Sequence, residues 1–338
     1  MGCTVYKSSM CCFSLGLQDL SLLACKFKPG SLIDLGTLMQ LRSLSLAAIF
    51  SQVIDMGCLT QLHNLHSLSI HKCSIIKLDT MLQNVPLRSL VLKGMDSVDI
   101  PSGINFASGT LRLMELNHLD LRNFQLMPPH LPSIQCVSIT GIMLGGRSDE
   151  LHRVHSAALA LSKFPLSIPA ARFHLSMKHG WSVEQQNTAI KALLPLGSIL
   201  SLQVDALLLT HCILDQTCIH TLHSLFGSVH SLHILCDKHF FREGVLLGIL
   251  QGMPSVFCIS ITMAGPSYDC KLPESRWWMT ELLSVHQARR DLVLKLRARG
   301  AGFQHRDAFW EIVHAWQEAQ RSLTGRSTIQ LGICNEDV

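Results

Sequence analysis

Between Leu65 and Ile75 the chain reads LHSLSIHKCSI, with apolar side chains at Leu65, Leu68, Ile70, Cys73 and Ile75 and mostly polar ones between them. The spacing L-x-x-L-x-L-x-x-N/C-x-L predicts a short strand followed by a turn. Alternation along a strand sends Leu68 and Ile70 to one face and Ser67, Ser69 and His71 to the other. Cys73 falls where the chain leaves the strand, a place that suits a compact, buried side chain. One such unit cannot cover its own apolar face, so a core requires a row of them.

The row is present. The same spacing occurs at Leu17, Leu20, Leu22, Cys25 and Phe27, at Leu41, Leu44, Leu46 and Ile49, and at Leu87, Leu90, Leu92 and Met95. It continues at Leu116, Leu119, Leu121, Phe124 and Leu126, and at Ile134, Val137, Ile139, Ile142 and Leu144. After Gly145-Gly146 it loosens, then returns at Phe173 and Leu175, at Val204, Leu207, Leu209, Cys212 and Leu214, at Val229, Leu232 and Ile234, and at Val256, Ile259 and Ile261. Leu292 with Leu294 and Ile329 with Leu331 are weaker matches. The expected organisation is an N-terminal edge over residues 1–14, poorly capped, then short units over 15–146 and longer strand-helix units over 147–338 that continue the same array.

Helix signals sit in the longer units. Ser182-Val183-Glu184-Gln185 reads as a capping box ahead of Ile190, Leu193 and Leu194. Ser148 is placed to cap a helix presenting Leu151, Val154 and Ala158, and Asp215 one presenting Ile219, Leu222 and Phe226. Trp278, Leu282 and Val285, then Phe309, Ile312, Val313 and Trp316, mark two more.

With 48% hydrophobic and 15% charged residues in 338, there is ample apolar side chain for a continuous core. No apolar run reaches the roughly 18 residues of a spanning helix, so no membrane span is expected. The net charge of +4 is spread thinly: residues 1–146 carry 10 basic and 8 acidic groups, and residues 147–338 carry 18 and 16. That is no nucleic-acid footprint. Thirteen cysteines, scattered and with several at turn positions, point to reduced thiols in the cytosol or nucleus.

These units resemble the leucine-rich-repeat superfamily over roughly residues 15–335. Cysteine at the turn position, as at Cys25, Cys73 and Cys212, resembles the cysteine-containing repeats of F-box substrate receptors, and LTQLHNLHSLSI (Leu59 to Ile70) resembles intracellular plant or algal repeat proteins. The resemblance implies an α/β leucine-rich-repeat solenoid, a horseshoe with a concave parallel β-sheet and helices or irregular returns on the convex side. It also implies a non-enzymatic protein-protein interaction scaffold. An alternative is the substrate-recognition subunit of a cullin-type ubiquitin ligase, although the first unit begins by Leu17 and leaves no room for an F-box ahead of it. A third reading, an inhibitor or regulatory repeat domain, would favour strongly charged concave columns.

The outward positions of the strands form the expected partner surface: Ser69, His71, Lys93, His118, Asp120, Arg122, Arg172, His174, Thr210 and His233. The trio His118, Asp120 and Arg122 is its most polar spot. Eighteen histidines include pairs three apart, at 63/66, 152/155 and 220/223, but neither finger-like ligand spacing nor H-E-x-x-H occurs, so no metal is expected. The chain has no G-x-S-x-G elbow and no phosphate-binding G-x-x-x-x-G-K-[ST], and neither an enzyme nor a cofactor is expected.

Overall fold

A computed structural model of the chain describes residues 3–5, 16–23, 25–27, 35–47, 53–93, 111–117, 119–120, 135–144, 151–177, 180–236, 244–264, 284, 292–299, 314 and 329–334. The chain divides into two compact units, Met1–Pro169 and Ala170–Val338.

In the first unit, seven parallel strands pair in chain order: β1 (Asp19–Leu23), β2 (Ser43–Ala47), β3 (Ser67–His71), β4 (Ser89–Lys93), β5 (Leu113–Asn117), β6 (Cys136–Ile139) and β7 (Leu166–Ser167). Their register stacks Leu20, Leu44, Leu68, Leu90, Met114, Val137 and Leu166 in one column. From β2 to β6 that column is buried, as are Leu46, Ile70, Leu92, Leu116 and Ile139 two residues on, and Leu41, Leu65, Leu87 and Leu111 three residues before. All three apolar positions of L-x-x-L-x-L therefore enter the core. Each such side chain contributes about 1.5–3 kcal/mol of apolar burial.

The fifth strand differs from the sequence expectation. Leu116, Leu119 and Leu121 fit the spacing, but so do Leu111, Met114 and Leu116, and the ladder takes the second set. The reason is periodicity: Met114 lies 24 residues after Leu90 and 23 before Val137, matching the returns between earlier strands, whereas Leu119 would leave one loop too long and the next too short. Leu119–Asp120 instead forms a two-residue strand paired with Ile142 and Met143 of the Gly141–Leu144 strand. Among the described residues, the returns of this unit include 3-10 turns around residue 36 and at Met56–Leu59, a seven-residue helix α1 (Leu78–Asn84) and the longer α2 (Leu151–Leu161), which buries Leu151, Val154, Ala157, Ala158 and Leu161. Ser148 lies outside the described residues. The unit extends past Gly145-Gly146 because α2 is followed by β7, which adds to β6.

In the second unit, β8 (Arg172–Met177), β9 (Ala206–Thr210), β10 (Ser231–Cys236), β11 (Cys258–Ala264), β12 (Val293–Arg299) and β13 (Ile329–Cys334) are also parallel and in chain order. The weak matches at Leu294 and Leu331 are thus strand positions. Between the strands stand α3 (Val183–Lys191), α4 (Gly197–Gln203), α5 (Gln216–Leu225) and α6 (Val245–Gly252). Both expected caps form: Ser182 and Gln185 make a reciprocal capping box on α3, and Asp215 accepts the Cys218 N–H at 2.6 Å to open α5. At the other end of α5, the Phe226 ring tilts against Phe173 of β8 with centroids 5.6 Å apart. The helices expected around Trp278 and Phe309 fall mostly outside the described residues.

The cysteine turn is the same in both units. Lys72 and His211 follow their strands in left-handed backbone (φ 51° and 57°), and the next residue is a buried cysteine. Cys73 Sγ donates to the His71 carbonyl at 3.2 Å and Cys212 Sγ to the Thr210 carbonyl at 3.6 Å. A small thiol thus satisfies the carbonyl of the strand's last residue inside the turn.

Candidate functional site

A parallel ladder stacks equivalent side chains at strand spacing, about 4.8 Å. Whatever points away from the core therefore forms columns. In the first unit the central column is Ser21, Ser45, Ser69, Val91, Glu115, Ser138 and Ser167. His71 and Lys93 are register neighbours in the next column, and Lys93 Nζ reaches Glu115 Oε1 at 3.0 Å. Glu115 replaces the residue expected in this row, since the strand is Leu113–Asn117.

In the second unit the central column is His174, Leu208, His233, Ser260, Lys295 and Gln330. Leu208 and His233 are exposed, His174 is half-buried, and Ser260 is buried. His174 Nε2 lies 3.0 Å from the buried hydroxyl of Thr210 on the neighbouring strand, a diagonal contact across the face. Arg172 stands exposed at the start of the same strand as His174. Among the described residues, β8–β13 contain no Asp or Glu, while Arg172, Lys295, Arg297 and Arg299 lie along them.

Ser69, His71 and Lys93 thus share one sheet, and Arg172, His174, Thr210 and His233 share the other. Asp120 belongs to the short strand beside Ile142 and Met143, off the seven-stranded ladder, and His118 and Arg122 lie outside the described residues.

A second column went unread in the sequence. One residue before the strands, Gln18, Arg42, His66, Arg88, Arg112 and Gln135 follow one another in register. Their backbones are locked together: the Arg42 carbonyl accepts the N–H groups of both His66 and Ser67 at 2.8 and 3.0 Å, and the His66 carbonyl accepts those of Arg88 and Ser89 at 2.8 and 3.0 Å. The Arg88 carbonyl in turn takes Arg112 and Leu113 at 3.0 and 3.1 Å. Arg42, Arg88 and Arg112 are exposed. Ser43, Ser67 and Ser89 form the adjoining column. The corresponding positions of the second unit behave differently: His230 Nδ1 meets Asp205 Oδ1 at 2.6 Å, and its ring lies 5.6 Å from that of Phe257.

Among the described residues no group of three His, Cys, Asp or Glu side chains is arranged to hold a metal ion. Burial pushes the Cys218 thiol up to about 12 and the Cys58 thiol up to about 11, with the nearby charges of Asp215 and Asp55 adding to it. Both are held as thiols rather than nucleophilic thiolates. No described helix is long and apolar enough to cross a membrane.

No protein-family model matches the chain, and no curated protein sequence matches it.

Proposed function

We propose that the chain is a leucine-rich-repeat solenoid and that it acts as a non-enzymatic scaffold, holding a protein partner against the outward face of its parallel sheets. The concave side would be the sheet, with helices and irregular returns behind it. The observation that carries this reading is the acid-free face of β8–β12, where exposed Leu208 stands between His174 and His233 and small side chains such as Ala206, Ser231 and Ser260 lie beside them. Short side chains let a partner's backbone approach closely, an exposed leucine supplies an apolar anchor, and the imidazoles supply directional hydrogen bonds. The free thiols Cys58, Cys73, Cys136, Cys212, Cys218 and Cys258 favour a reducing compartment, cytosol or nucleus.

The test is affinity capture from cytosol with the native chain beside a variant carrying Leu208→Glu and His233→Ala. One partner recovered by the native chain and lost by the variant supports the reading and its placement. Equal recovery by both sinks the placement.

A second reading, the substrate-selecting subunit of a cullin-type ubiquitin ligase, is favoured by the cysteine turns at Cys73 and Cys212, with their matching left-handed residue and thiol hydrogen bond. Recovery of ligase scaffold subunits in the same capture would promote it.

A further inference from the structure

Ahead of β2–β5 stands a row that carries three exposed arginines. Backbones of Arg42, His66, Arg88 and Arg112 stand one strand apart, so the row spans about 14 Å at the usual strand spacing of ~4.8 Å. Like charges directly opposite on neighbouring strands repel and cost stability. Arg88 and Arg112 are such neighbours, whereas His66 separates Arg42 from Arg88 and Asp19 starts the column beside Arg42. Among the described residues none of Arg42, Arg88 and Arg112 is held in an ion pair, although Glu115 on the same sheet does pair, with Lys93. His66 sits between the arginines with its ring tied by Nδ1 to the Asn64 carbonyl at 2.5 Å, which leaves Nε2 free of that bond.

We infer that Arg42, Arg88 and Arg112 form an anion ladder that receives a carboxylate-rich segment of the protein partner. The inference rests on the reading that the chain holds a protein, and adds the chemistry of one part of it. Guanidinium groups bind carboxylates through two parallel N–H···O bonds, and the three stand in a row fixed by backbone hydrogen bonds rather than by loops. Spacing suits an acidic helix crossing the strands. Carboxylates three or four residues apart on a helix have Cβ atoms about 5–6 Å apart, close to the one-strand interval between Arg88 and Arg112, and those seven apart lie about 10 Å apart, close to the two-strand interval from Arg42 to Arg88. A single-stranded nucleic acid would want aromatic side chains on which bases stack beside the cations. The adjoining column offers Asp19, Ser43, Ser67, Ser89, Leu113 and Cys136 instead.

The experiment is fluorescence anisotropy of a labelled oligo-glutamate peptide and, separately, a labelled oligothymidylate, each titrated with the full chain and with the R42Q/R88Q/R112Q variant. The expected result is peptide binding that weakens steeply with added salt and falls about tenfold or more in the variant. Protection of the three arginines from hydroxyphenylglyoxal by the peptide, mapped on the native chain by mass spectrometry, reads the same site without any substitution. Equal peptide binding by chain and variant together with unprotected arginines, absence of peptide binding, or tighter binding of the oligothymidylate than of the peptide overturns the inference. Partner capture lost through Leu208→Glu but indifferent to the arginines would remove the ladder and leave the scaffold standing.

Discussion

Gln186 on α3 accepts the backbone N–H of Ile213 through Oε1 at 2.8 Å, and its Nε2 donates to the His211 carbonyl at 3.2 Å. A helix side chain thus completes the turn that follows the next strand. Gln186 is only 1% exposed, so water cannot replace either bond.

Replacing Gln186 by Met keeps the length and apolar stem but leaves a donor and an acceptor of the turn unmatched. The expected cost is about 1–3 kcal/mol, read as a lower urea midpoint with an unchanged m-value. An unaltered midpoint would mean that the 211–213 turn relaxes to satisfy itself.

Gly252 and Ile219 bring α6 against α5 with no room to spare: a Cβ at position 252 would overlap Cγ2 of Ile219. Alanine favours a helix over glycine by about 1 kcal/mol, yet overpacking costs about 1–3 kcal/mol. Gly252→Ala should therefore destabilise. Ile219→Leu moves the branch away from Cβ, so the double variant should regain part of the loss, and a double-mutant cycle by thermal or urea unfolding measures the coupling. Additive losses would show that the helices simply move apart.

What the residues disclose in isolation follows from how local each signal is. Leu41, Leu44 and Leu46, or Leu65, Leu68 and Ile70, announce themselves because three buried side chains fall within six residues of chain. The caps at Ser182 and Asp215 are equally local, three residues from donor to acceptor. The choice between Met114 and Leu119 was harder, because both satisfy the spacing and methionine carries a weaker signal than leucine; the interval between strands, a longer-range quantity, decides it. Gln186 and the arginine row were illegible for the same reason. Gln186 bonds 25 and 27 residues away, and Arg42, Arg88 and Arg112 occupy the variable x of L-x-x-L, where only the stacking of one strand on the next makes separate surface charges into a row.

Asp55 and Lys77 form a 2.7 Å ion pair, and Asp55 Oδ1 also accepts the Gly57 N–H at 2.9 Å. The hydrogen bond from Lys77 does most to hold the Asp55 carboxyl below the ordinary carboxylate value; partial burial opposes it and the Gly57 N–H assists. The folded state therefore binds this proton more weakly than the unfolded chain. Its contribution to stability is complete above the unfolded pKa and disappears as pH falls through the lower folded one. Lys77 is raised by the same bond, so its contribution is complete below the unfolded lysine value and fades as pH rises through the folded one. Side chains 46% and 58% exposed keep both effects small. Lys77→Met should move the Asp55 titration upward by NMR, and an unmoved titration would assign the depression to the Gly57 N–H instead.

Cys218 and Cys58 make the sharpest chemical prediction. Burial is the main cause that lifts their thiols to about 12 and about 11, and the carboxylates of Asp215 and Asp55 reinforce it. At pH 8 a free cysteine with a pKa near 8.5 is about one quarter thiolate, whereas Cys58 would be about one part in a thousand and Cys218 about one in ten thousand. Only the thiolate attacks iodoacetamide. Native chain at pH 8 should leave both residues unlabelled over a time in which urea-unfolded chain labels fully, as peptide mass spectrometry reads directly. Asp55→Asn tests the order of causes. It removes the carboxylate charge but not the burial, so Cys58 should remain slow; rapid labelling in that variant would mean that the charge, and not the surrounding core, protects the thiol.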